Sequence, residues 1–321
     1  MTSTGAPFAF IPGCGPDAAP IAALDRADHL RDDSNALAAL WTDARVLLLD
    51  DTGAVCDDEG QPLPLSGAQV SEGPGGVGAA AFLGLDEGGR GWFALDASLT
   101  AVTGARSVDL RTAAATWPAR EAAAFAGARA LQSWRQRHRF CGTCGGEVAM
   151  LRAGWLGRCR SCELDHYPRT DPAVIVAVSD GARLLLGRQS AWPARRYSVI
   201  AGFVEPGESL EQAVAREVME ETGLRVRRCR YLASQPWPFP GALMLGFAAE
   251  AEPAEPQVGA ELEDARWFDA GQIRAAAARE AAQGADDDGP LLSSPISIAR
   301  WLIEDWLAAA ERNAGASNAA T

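Results

Sequence analysis

The sequence predicts an α/β protein carrying a metal-binding insert, and three observations support that reading. Two Cys-x-x-Cys pairs, Cys141/Cys144 and Cys159/Cys162, sit mid-chain. Beyond them, β-like runs alternate with a strongly patterned helix, as in a sheet covered by helices. Ahead of them, short apolar runs between Gly/Pro turns read as a smaller α+β module. With 321 residues, the chain has room for more than one domain. The expected organisation is an N-terminal α+β domain over 1–125, a helix plus cysteine segment over 126–168, an α/β domain over 169–312 and a flexible tail over 313–321.

In the first domain, Val46–Leu49 and Trp92–Leu95 are strand-like and a helix is predicted over Arg120–Arg137. In the α/β domain, strands are predicted at Ala173–Val178, Arg183–Leu186, Ser198–Phe203 and Leu243–Ala249. Helices are predicted at Leu210–Thr222 and Ile296–Ala310, with a solvated loop over Gly284–Pro290. No internal repeat is evident in the sequence.

Composition narrows the function. A hydrophobic fraction of 48% and a charged fraction of 22% suit a globular core rather than disorder. Net charge is −13, so nonspecific coating of nucleic acid and adsorption to an anionic membrane are not expected, nor is sequence-specific DNA binding. All 29 basic residues are Arg, which excludes a lysine nucleophile or Schiff base. No apolar run reaches the roughly 18 residues of a membrane helix. The N-terminus lacks the basic and apolar regions of a secretory signal. Seven cysteines, an odd number, then suit a reducing, cytoplasmic setting. Cys14, Cys56 and Cys229 carry no spacing signal and read as ordinary thiols.

Cys141, Cys144, Cys159 and Cys162 form C-x2-C-x14-C-x2-C, a spacing that closes a tetrahedral thiolate shell around one structural Zn²⁺ per subunit. A disulfide pair and an iron–sulfur centre are the alternatives. With four protein ligands the zinc would be structural rather than catalytic. Around it, residues 127–169 hold eight Arg against three acidic residues, net +5 in an acidic chain. That cluster is either a solvated face beside an anionic zinc–thiolate centre or a surface that meets phosphate.

The most informative helix is Leu210–Thr222. Ser209 and Gln212 form an S-x-x-Q capping box, and Gly223 is placed to end the helix in the left-handed conformation. At about 100° per residue, Glu217, Glu220 and Glu221 share an arc of roughly 100°. Like charges at i and i+4 weaken a helix. Leu210 and Val214 lie on the same side, so this face points partly inward, and Arg216 supplies only one compensating charge. Partly buried carboxylates in this arrangement invite a hard divalent cation, and Glu208 can approach the same place.

These residues fit G-x5-E-x7-R-E-U-x-E-E-x-G-U, U being a bulky aliphatic, at Gly202, Glu208, Arg216, Glu217, Val218, Glu220, Glu221, Gly223 and Leu224. The segment thereby resembles the Nudix box. The resemblance implies a Nudix α/β/α sandwich, here preceded by a zinc ribbon and a small α+β N-terminal domain. It also implies hydrolysis of a nucleoside diphosphate linked to another moiety.

Ten residues past the box comes Ser234-Gln235-Pro236-Trp237-Pro238-Phe239-Pro240. Three prolines remove backbone donors, so a stiff loop outside any sheet ladder is predicted. It would present Trp237 and Phe239 as flat surfaces on which a base stacks. The alternative is a Pro-rich core turn with packed aromatics. The run resembles the SQPWPFP signature of NADH pyrophosphatases, Nudix proteins that also carry a four-cysteine ribbon before the catalytic domain.

That resemblance, over residues of about 105–310, implies metal-dependent cleavage of NAD(H) to NMN(H) and AMP, removal of NAD caps from RNA 5′ ends, and a homodimer. It implies that Glu217, Glu221 and Glu261, with the Ala201 carbonyl, hold two or three Mg²⁺ or Mn²⁺ ions, Glu263 being a near neighbour of Glu261. Gln235, Pro236, Trp237, Pro238, Phe239, Pro240, Gly241 and Ala242 would line the dinucleotide pocket. Tyr167, Ala299 and, after a one-residue shift, Arg111 match further substrate contacts, while a substrate-contacting Glu of the family falls on Gly154. The general base would be Glu221 or else Glu220. Two other readings are a Nudix hydrolase of the ADP-ribose type and a non-catalytic nucleotide-binding ribbon module.

Overall fold

The computed structural model describes residues 24–281 and 289–319. These fall into two compact units. One runs to Thr170 and includes Trp237–Gly241; the other holds Asp171–Pro236 and the chain from Ala242 onward. The cysteine segment therefore clusters with the N-terminal module.

The first unit opens with α1 (Ser34–Trp41), β1 (Arg45–Leu49), β2 (Ala54–Cys56), β3 (Leu65–Ser66) and the single-turn α2 (Gly67–Val70). It continues with β4 (Ala81–Leu85), β5 (Gly91–Asp96), β6 (Arg106–Val108), α3 (Leu110–Thr116) and α4 (Ala119–Arg137). The sheet order is β4-β5-β1-β2-β6, with β3 also paired to β1. Only β5 and β1 run parallel; the other pairings are antiparallel. Its core gathers Val46, Leu48, Phe82, Phe93 and Trp41. The ribbon follows as an antiparallel sheet of β7 (Val148–Leu151), β8 (Leu156–Cys159) and β9 (Asp165–His166).

The second unit comprises β10 (Asp171–Ser179), β11 (Leu184–Arg188), β12 (Ile200–Phe203) and α5 (Leu210–Thr222). Then come β13 (Val226–Trp237), β14 (Ala242–Ala251), β15 (Asp264–Phe268), α6 (Ala270–Ala281) and α7 (Ile298–Ala319). Strand order is β13-β14-β10-β11-β15, with β12 on β10, and β10 and β14 are parallel. Seven of the nine residues of β10 are buried, as both faces of the sheet are covered. Val174, Val176 and Val178 pack with Ala213, Val214 and Val218 of α5. Ile175 and Ala177 face Leu302 and Ile303 of α7. This is the expected α/β/α sandwich.

Three expectations change. The chain does contain a repeat, visible only in topology: both units run strand, strand, strand, helix, strand, strand, strand, helices, with the same pairings. Second, Ser234–Trp237 belongs to β13 and is not a loop; the turn is confined to Pro238–Gly241. β13 is an edge strand, where Pro236 removes no ladder hydrogen bond that the sheet needs. Third, α7 starts two residues late, after Ser297, whose Oγ accepts from Arg300 N–H at 3.4 Å. It then continues to Ala319, through most of the expected tail, because Ala308–Ala310 favour helix and no proline interrupts them. Cys14 and most of the Gly284–Pro290 stretch lie outside the described residues. Among the described residues no helix is long and apolar enough to cross a membrane.

Candidate active site

The helix that carries the carboxylates is built as its sequence dictates. Ser209 Oγ accepts from Gln212 N–H at 3.2 Å and Gln212 Oε1 accepts from Ser209 N–H at 2.8 Å. Gly223 ends it at φ +67°. Gly202, in β12, stands against the helix so closely that a Cβ there would meet the Glu217 carboxyl carbon at 1.9 Å. Only glycine leaves room for that carboxylate.

Arg216 is the hub of the cluster. Its Nε and Nη2 donate to the two Glu208 oxygens at 2.8 Å each, and Nη1 donates to Glu217 at 2.8 Å and to Glu220 at 3.1 Å. Nη2 also donates to the Phe203 carbonyl at 2.9 Å. The bidentate guanidinium holds Glu208 below the usual carboxylate range. Glu217 and Glu221 are buried, at 8% and 5% exposure, whereas Glu220 is exposed. Burial pushes Glu217 up despite Arg216. Burial first, then the charges of Glu217, Glu261 and Glu220, pushes Glu221 up to about 7.

Glu261 is exposed in the loop before β15. That loop is tied to the end of α5 by Gly259 N–H to the Glu221 carbonyl at 2.9 Å. Three carboxylates thus share one guanidinium, and Glu221 and Glu261 add two more acidic groups whose charges act on the cluster. Such a set fits hard divalent cations, for which Glu217, Glu221 and Glu261 are the candidate ligands, together with Ala201 beside Gly202. Sequence reading gave no site role to Phe203, which is 61% exposed at the end of β12 and whose carbonyl accepts from Arg216; its place directly after the Gly of the box is the signal that could have found it.

The cysteine quartet is tighter. Its four Sγ atoms lie within 4.8 Å of one another, which fits a tetrahedral Zn²⁺ shell. Backbone N–H groups of Thr143 and Cys144 lower Cys141 to about 7. Those of Cys162 and Ser161 lower Cys159 to about 6. Gly145 and Glu163 take φ +74° and +60° to fold the two knuckles.

The remaining candidates divide. Arg111, behind the Asp109 cap of α3, lies over Phe239 at 4.2 Å and Trp237 at 5.4 Å, and those rings meet edge-on at 5.0 Å. Arg111, Pro238, Phe239 and Pro240 line one cavity of about 490 Å³. Tyr167 is 64% exposed. Pro236 is exposed, and Gly241 and Ala242 are half-buried. Two side chains depart from expectation. Gln235 is fully buried; its Nε2 donates to the Ile296 carbonyl at 2.8 Å and its Oε1 accepts from Ile298 N–H at 2.7 Å, so its amide serves the start of α7. Ala299 packs in the core beneath that helix, and its side chain offers a substrate no surface.

Family comparisons agree with this geometry. Residues 169–288 match a family model described as NUDIX domain, and residues 136–167 match the NADH pyrophosphatase zinc ribbon domain. A NAD-capped RNA hydrolase NudC of Mycobacterium bovis is 42% identical over 291 residues, covering 88% of this chain and 92% of that protein. The chain belongs to the NudC family of Nudix hydrolases. A NudC of Mycobacterium tuberculosis is 41% identical over the same shares, and one of Pseudomonas syringae is 44% identical over 56% of this chain and 59% of its own. A crystal structure of a NUDIX hydrolase from Nitrosomonas europaea aligns with TM-score 0.37 at 30% identity, over 41% of this chain and 77% of that one.

Residues 42–134 match an NADH pyrophosphatase-like rudimentary NUDIX domain, the counterpart of the repeated topology. At Gly154, where the resemblance places a substrate-contacting glutamate of the family, φ is +89° and a Cβ would press on Ala81 at 3.1 Å, a backbone that favours glycine.

Proposed function

We propose that this enzyme hydrolyses the pyrophosphate of NAD(H), giving NMN(H) and AMP, and removes NAD caps from RNA 5′ ends. The observation that carries the reading is the buried Glu217–Glu221 pair, of which only Glu217 meets Arg216, an arginine that Glu208 and Glu220 already share. Such a site is short of positive charge, which divalent cations would supply. The named activity of the NudC relatives supports the choice of substrate.

Glu217, Glu221 and Glu261, with the Ala201 carbonyl, would hold Mg²⁺ or Mn²⁺, which when bound would supply phosphate neutralisation and a more acidic water. Arg216 keeps Glu217 and Glu220 in place. Glu221 is the first candidate to accept the proton of the attacking water, and the exposed Glu220 is the second. The water oxygen bonds to phosphorus, the bridging P–O bond breaks, and the departing nucleotide keeps the bridging oxygen. In the first unit Tyr167, Trp237 and Phe239 would offer faces for stacking and Arg111 a counter-charge; in the second, Phe203 would offer a further face.

We further infer a cytoplasmic homodimer. The exposed Leu164 and Tyr167 of the ribbon leave apolar surface for a second copy, and sedimentation analysis reads the state directly. The activity is tested by product analysis with NADH, NAD⁺, NAD-capped RNA and ADP-ribose under Mg²⁺ or Mn²⁺. Metal-dependent release of AMP with NMN(H) is expected. Faster turnover of ADP-ribose than of all three NAD substrates overturns the reading.

A further inference from the structure

The arginine excess at residues 127–169 resolves into two populations. Arg129 donates to the carbonyls of Asp50 and Asp51. Arg135 reaches the Ala79 carbonyl at 3.3 Å. Arg152 pairs with Asp28 and Asp32 at 3.0 Å each. Arg158 forms a fork with Asp165 at 2.6 and 2.9 Å. Arg169 is also engaged. These side chains serve the fold. Arg137, Arg139 and Arg160 are exposed and have no ion-pair partner among the described residues.

Two of those three converge. Arg139 and Arg160 line a cavity of about 430 Å³ together with Gln132, Gln136 and Met150. Its rim carries Phe140, which is 59% exposed, with the Arg139 guanidinium 6.0 Å from its ring centroid. Leu49, Leu95 and Val148 contribute an apolar floor. Gln136 and Arg137 continue the basic strip into the neighbouring cavity that holds Arg111. An exposed ring, two guanidiniums without an ion-pair partner and an apolar floor together suit an unstacked base with its phosphate. A double helix offers no such base, and a protein of net charge −13 has little general attraction for polyanions.

We propose that the Arg139–Phe140–Arg160 cavity is a binding site for single-stranded RNA, gripping nucleotides of the substrate downstream of the cap. Phe140 stacks a base while Arg139 and Arg160 hold the adjoining phosphates. None of the cavity's lining residues belongs to the carboxylate cluster, so the site acts on RNA and is indifferent to free dinucleotide. The proposal rests on the reading that capped RNA is a substrate.

The test compares Phe140→Ala, Arg139→Ala and Arg160→Ala with wild type on NADH and on a NAD-capped single-stranded RNA of about 15 nucleotides. Zinc content and melting temperature confirm the fold. Arg139→Glu is a second change outside the knuckles, in case Arg160→Ala disturbs the ribbon. NADH turnover is expected within about twofold of wild type, while kcat/KM on capped RNA falls about tenfold, chiefly through KM. Each arginine removed should also lower the salt slope for RNA by about 0.7. Equal losses on both substrates, or none on either, overturn the proposal. Binding of an uncapped single-stranded RNA of the same length, read by fluorescence anisotropy, separates the two levels. Wild type that cleaves only NADH defeats the decapping reading. Variants that bind this RNA as tightly as wild type defeat the site.

Discussion

The two six-stranded sheets share one topology and differ in the helix that follows the third strand of each. Each has a short strand paired to the central one, then a helix opened by a Ser-x-x-Gln capping box: Ser66 and Gln69 in the first, Ser209 and Gln212 in the second. The first helix stops after four residues; the second runs for 13 and carries the glutamates. A glycine marks a close approach in both. At Gly202 a Cβ would strike the Glu217 carboxylate, and at Gly67 it would strike the Trp41 carbonyl at 2.0 Å and its indole at 2.7 Å. In one unit the tight spot accommodates a charge, and in the other an indole that packs on Phe93 at 5.1 Å. The sheet topology alone makes no metal site; a long capped helix with repelling acids does.

The comparison breaks most visibly at the acids. Glu217→Gln and Glu221→Gln should each lower kcat about a thousandfold, since the lost metal charge is worth several kcal/mol to the transition state. Glu221→Gln should also raise the melting temperature of metal-free protein at pH 8 by removing a buried, repelled charge. Equal or lower melting would show that Glu221 costs the fold nothing. The glycines come next. Gly202→Ala should cost about a hundredfold in turnover by displacing Glu217. Gly67→Ala should destabilise the first unit by about 1–3 kcal/mol in denaturant titrations and leave turnover intact.

Proton linkage gives a smaller effect, confined to the second unit. Glu221 keeps its proton to about 7 when folded, against an ordinary 4.5. The unfolded chain binds fewer protons across that window, so this group's contribution to metal-free stability is lost as pH rises through it. A divalent ion must displace the same proton. Mn²⁺ affinity measured calorimetrically should therefore rise about tenfold from pH 6 to pH 8, with uptake of metal releasing a proton. Flat affinity would detach Glu221 from the ion. Smallest are the caps. Ser209→Ala and Ser66→Ala should each cost about 1 kcal/mol of stability, the former lowering turnover too and the latter sparing it.

Legibility followed locality. The bounds of α5, its caps and the cysteine knuckles depend on residues within a few positions of one another, and all of these were readable from spacing. The repeat was hidden because α2 has shrunk to one turn and β3 to two residues, too short for any periodic pattern to register. The extension of β13 through Pro236 depended on that strand lying at the sheet edge, which is a property of its neighbours. Charge counting found the arginine cluster, but sorting it required partners such as Asp28 and Asp32, more than a hundred residues away from Arg152. Gln235 likewise meets its partners 61 and 63 residues on.

That last contact ties the signature run to the C-terminal helix. Because the Gln235 amide pegs the opening turn of α7, the stretch that carries Trp237 and Phe239 is also a hinge-pin for an element far along the chain. An engineer who swaps this stretch to retune substrate choice must carry over its second residue unchanged, or the closing helix loosens along with the specificity.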